Sequence, residues 1–167
     1  MAVAFRSAGA LKGVASGDIL CVAPAGIVDG DILVFVSVQD DTVTITRSGW
    51  TLLDEGTNTG ATRRTTVLYK VASSESGNYT FTHTAGSTSA GLVACFSGAN
   101  TATPFGTAHS LRLDEGSVST VAATSITPAT NNSLIVLIAA HDNDAITCSA
   151  YAGGSLTWAE DYDLTDG

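Results

Sequence analysis

The sequence predicts an all-β chain, an antiparallel β-sandwich of jelly-roll type, on three observations. Helical periodicity is missing along all 167 residues, short stretches alternate apolar and polar side chains, and turn-forming pairs recur between them. Residues 42–46 alternate strictly, with Val43 and Ile45 on one face and three threonines on the other. Residues 78–84 do the same and gather Tyr79, Phe81 and His83. Residues 66–71 and 91–97 read as further strands, and 106–113 as another. The runs 32–38 and 134–140 are continuously apolar, as central strands covered on both faces must be. Turns are expected at Asp29-Gly30, Asp40-Asp41, Ser48-Gly49, Asn58-Thr59-Gly60, Ser76-Gly77-Asn78, Asn131-Asn132 and Gly153-Gly154.

Length and composition bound the function. The chain is long enough for one domain spanning 1–167, with a sizeable core. At 44% hydrophobic and 14% charged residues, it is the opposite of a disordered sequence. A formal net charge of −9 leaves no basic face for nucleic acid or for an anionic membrane. No basic stretch followed by a long apolar one opens the chain, so no signal peptide is expected, and no apolar run is long enough to span a bilayer. The odd number of widely spaced cysteines, Cys21, Cys95 and Cys148, favours buried thiols over a disulfide.

A faint internal repeat runs through the chain, at about 18–100 and 118–167. Residues 31–40 align without gaps on 133–142, each followed by a turn, a short strand, and a glycine and tryptophan ahead of acids (Trp50 with Asp54-Glu55, Trp158 with Glu160-Asp161). The second copy ends before any equivalent of strands 66–71, 78–84 and 91–97. Either the sequence is shortened there, or another chain supplies the missing edge. In the second case Ala145, Thr147, Tyr151, Trp158 and Tyr162 are the expected interface residues.

The segments Gly30-Asp31-Ile32-Leu33-Val34, Ser48-Gly49-Trp50-Thr51-Leu52-Leu53, Asn78-Tyr79-Thr80-Phe81-Thr82 and residues 90–99 follow one another in an order that resembles a tailed-bacteriophage family. These are β-sandwich virion proteins that decorate heads or build tails and fibres, and the resemblance covers residues 2–163. It implies a non-enzymatic structural protein, made in the bacterial cytoplasm and carried in the virion. The most concrete form is a capsid decoration (cement) protein that binds the major capsid protein in the assembled shell as a homo-oligomer, with a trimer the natural guess. The alternative is a host-recognition or carbohydrate-binding module on a tail or fibre.

Catalytic chemistry is hard to find in the residues. No nucleophile elbow, dinucleotide or phosphate loop, paired-cysteine motif or zincin motif occurs, and His83, His109 and His141 lie far apart. Neither a cofactor nor a metal is therefore expected. Asp40, Asp41, Asp142 and Asp144 are candidate Ca²⁺ ligands, being hard oxygen donors after the two apolar runs. They lack the spacing of an EF-hand loop, and aspartates also form ordinary turns. Trp50, between a Ser-Gly turn and Leu52-Leu53, is expected in the core or at its rim.

Overall fold

Residue 32 begins one of the chain's two long apolar runs, and the described architecture is built around it. The computed structural model describes residues 2–57, 62–106, 127–128 and 131–136, all within the unit Met1–Val136. Among them are eight strands and no helix: β1 (Ala4–Ala8), β2 (Lys12–Val14), β3 (Ile19–Cys21), β4 (Ile32–Gln39), β5 (Thr51–Thr57), β6 (Arg64–Val71), β7 (Tyr79–Phe81) and β8 (Ser89–Ser97). Over the described residues the protein is all-β and antiparallel, compatible with a β-sandwich, as the sequence predicts.

The larger layer runs β1-β8-β4-β6-β5, with β2 continuing along β8 beyond β1. β4 pairs over its whole length with both β6 and β8, which explains why both of its faces are apolar. β1 holds residues 94–97 of β8 and β2 holds residues 89–91. Between them Gly9 donates its N–H to Val93 O at 2.8 Å. A side chain at Gly9 would collide with Val22 O, so the crossing requires glycine. At the opposite edge, β5 carries a bulge at Leu53 and two acids, Asp54 and Glu55, devices that discourage edge pairing.

The smaller layer is the pair β3–β7, in register Ile19↔Phe81 and Cys21↔Tyr79. These four side chains point inward and are buried. They meet Leu33, Phe35, Leu68, Val93 and Cys95 from the large sheet, with Ile45 at the side. Phe35 and Phe81 stack with centroids 3.5 Å apart. Gly91 makes room for that stack, because a Cβ there would lie 2.8 Å from Phe35 Cε2. Each fully buried ring contributes about 1.5–3 kcal/mol from area alone.

The other face of the large sheet is also covered. Ile32, Val34, Val67 and Phe96 form a second cluster with Phe5, Leu53, Ala99 and Phe105. Phe105 folds back to meet Tyr69 edge-on at 4.8 Å. The sequence expectation of a doubly buried strand at 32–38 is thus met from both sides.

Two expected strands differ. Residues 42–46 keep their alternation, with Ile45 fully buried and Thr42, Thr44 and Thr46 exposed, yet only Thr46 bridges a neighbour, Thr82. Side chains satisfy the backbone there instead: Arg64 donates to Thr42 O at 2.8 Å and Gln39 Nε2 to Val43 O at 2.6 Å. The run beginning at Leu134 is corrected over its described part. Residues 134–136 form no ladder, and Leu134 and Val136 are 41% and 48% exposed; an apolar run becomes a central strand only where neighbours pair with it on both sides. Residues 107–113 and 137–140, and the second repeat copy apart from residues 127–128 and 131–136, lie outside the described residues.

Candidate functional site

Along β4 the inward-facing residues change from Leu33 and Phe35 to Ser37 and Gln39. The register carries the change sideways: Ser37 sits opposite Gly91 and Thr66, and Gln39 opposite Ser89 and Arg64. Ser37, Gln39, Thr66 and Ser89 are all buried. The space between the layers therefore has an apolar end and a polar end, and the chain's one buried histidine among the described residues closes the polar end.

His83 follows β7, two residues beyond Phe81, so the strand alternation turns its side chain inward. Its Nε2 lies 2.8 Å from Asp41 Oδ2, and the Ser87 hydroxyl donates to the same oxygen. Asp41 Oδ1 accepts the Val43 N–H at 2.6 Å, while Asp18 Oδ1 accepts the His83 N–H at 3.1 Å. Burial alone would raise the Asp41 carboxyl, but the bonds from Ser87, Val43 N–H and His83 outweigh it and hold it below the usual carboxylate range.

Serine, histidine and aspartate together invite comparison with a catalytic triad, and the connectivity decides against it. In a triad the imidazole lies between hydroxyl and carboxylate and takes the hydroxyl proton. Here the carboxylate lies in the middle and receives both. What this arrangement does chemically is tie the segment between β7 and β8 to the turn after β4 through one anion.

A second acid, this one buried, works similarly. Asp31, 4% exposed, receives Arg6 Nε at 2.8 Å and Nη2 at 3.1 Å, the Val28 N–H at 2.9 Å and the Cys95 thiol at 3.4 Å. Burial opposes ionisation, but Arg6, Val28 N–H and Cys95 together hold this carboxyl low. Glu75 joins Lys70 at 2.6 Å to the Tyr79 hydroxyl at 3.0 Å. Burial first, then Glu75, raises the Tyr79 phenol.

The residues singled out from sequence fall as follows. Asp40 accepts Arg63 Nε at 3.0 Å and Asp41 serves the three donors above, so both stand in structural bonds. Among the described residues no three His, Cys, Asp or Glu side chains gather in a way that could hold a metal. Cys21 and Cys95 are free and buried; burial pushes both thiols up to about 12. Trp50 packs edge-on against Tyr79 and Phe81 at 5.5 and 5.1 Å, half-buried at the core rim, with the Arg47 guanidinium 5.2 Å from the Tyr79 ring centre. Asp142, Asp144, Ala145, Thr147, Tyr151, Trp158 and Tyr162 lie outside the described residues, as do His109, His141 and Cys148.

Sequence reasoning missed the pairing of Asp41 with His83, and the Asp31–Arg6 pair. The inward turn of His83 is visible in the alternation, but its partner is 42 residues away. Compared with known proteins, the chain matches no family model, no curated protein and no solved structure.

Proposed function

We propose that this chain is a non-enzymatic structural protein of a tailed-bacteriophage virion, and most concretely a decoration protein that binds the assembled capsid shell. One observation carries the reading. Leu20 faces outward from β3, Val22 lies just beyond the strand and Val28 in the loop that follows; they are 47%, 46% and 55% exposed. Exposed apolar side chains on and beside a strand suit binding by surface complementarity to a protein partner. The engaged acids support a structural role, because Asp31, Asp41 and Glu75 take part in bonds that hold loops in place. The net charge of −9 keeps such a protein soluble before assembly.

Mass spectrometry of purified particles, with heads separated from tails, tests this reading. The protein is expected in the head fraction, and Leu20→Glu with Val22→Glu should abolish co-sedimentation with preassembled shells while leaving the melting temperature unchanged. Recovery with tails alone would favour the host-recognition alternative. Absence from both fractions would overturn the virion assignment.

A further inference from the structure

At the polar end of the inter-layer space, the turn after β4 and the segment between β7 and β8 meet on Asp41. The His83 side chain is fully buried, whereas Asp41 keeps 17% of its side chain exposed. His83 Nδ1 is buried with no hydrogen-bond partner. Of the pair, Asp41 is thus the member in touch with water.

The charged groups around it are otherwise engaged. Asp18, ahead of β3, takes the His83 N–H; Asp40 binds Arg63; Arg64 of β6 binds Glu55 of β5 at 2.7 Å. Behind the cluster, the Thr66 and Ser89 hydroxyls are buried without partners. Closing this end therefore costs free energy that the bonds to Asp41 must outweigh.

We propose that Asp41, His83 and Ser87 form an acid-released clasp, in which protonation of Asp41 frees segments 40–46 and 83–88 while the β4–β6–β8 sheet stays paired. The direction follows from linkage. A carboxyl held below its usual range stabilises the closed form fully above that range, and that stabilisation is lost as pH falls from there through the lowered value.

Residue-resolved hydrogen exchange on the intact chain, corrected for intrinsic rates and followed from neutral pH to about pH 3, tests the clasp. The Val43 amide should lose roughly tenfold or more of its protection as carboxylates titrate, while Phe35 and Val93 amides remain protected. In Asp41→Asn the Val43 amide should already exchange fast at neutral pH, with no further acid step. In Ser87→Ala, which keeps the His83 bond, the step should move to higher pH. Val43 protection that persists in acid, or is lost together with Phe35 and Val93, or follows the same profile in Asp41→Asn, would overturn the proposal.

Discussion

Gly91 shows how one missing side chain sets the core. With 2.8 Å between a would-be Cβ and Phe35 Cε2, and 3.1 Å to Val36 O, Gly91→Ala must displace the ring that stacks on Phe81. It should cost about 1–3 kcal/mol, read as a lower denaturant midpoint at unchanged slope. Gly13→Ala is the control, since nothing lies within 4 Å of its would-be Cβ; its effect should stay within about 0.5 kcal/mol. The acids act at the same scale. Asp31, held low by Arg6, Val28 N–H and Cys95 against the opposing effect of burial, adds stability that is complete above the usual carboxylate range and is lost as pH falls from there through the lowered folded-state value. Urea melts across acid pH should accordingly show a shallower pH dependence for Asp31→Asn than for the natural sequence. The thiols give a third readout. With Cys21 and Cys95 at 0% exposure and pushed up to about 12, peptide-level mass spectrometry should find both unlabelled by an alkylating reagent in the folded chain and labelled in urea.

Among the elements, β4 and the run beginning at Leu134 separate what an apolar stretch can and cannot tell. Val34 is 6% exposed within a strand paired on both sides, while Val136 is 48% exposed and unpaired. Val34→Asp should unfold the domain, since a buried unpaired carboxylate costs several kcal/mol, whereas Val136→Asp should leave the melting temperature nearly unchanged. Strands β4, β6, β7 and β8 were legible because each has a sustained apolar or alternating pattern of its own. β2 and β3 have three residues each, too few for any period. β5 breaks its alternation at the Leu53 bulge, and β1 is a run of small residues around Phe5 and Arg6 whose strand character comes from lying along β8. The site was harder to read for a related reason. Periodicity reports which way a side chain faces, and so placed His83 inward, but it carries no information about which distant loop delivers the partner.

For the molecule as a whole, the unequal layers fix where strength and give reside. A six-stranded sheet covered on both faces faces a two-stranded one, so unfolding should begin at the small layer and its polar end, and exchange should be slowest in β4 and its two partners. The proposed role on a virion belongs to this scale too, and the oligomer it calls for is checked by light scattering on the purified protein. The division of labour between β1 and β2 has a wider consequence. Because residues 4–14 lie along β8 from Ser97 to Ser89, with Gly9 bonded to Val93 between them, the N-terminal arm behaves as a tethered ligand for the sheet it completes. A chain lacking residues 2–14 should present β8 as an open acceptor and self-associate. A synthetic peptide of those residues, added in excess, should restore the original size. Two intact copies that traded arms would satisfy every one of these bonds in each other, giving the fold a route to dimers that requires no new surface.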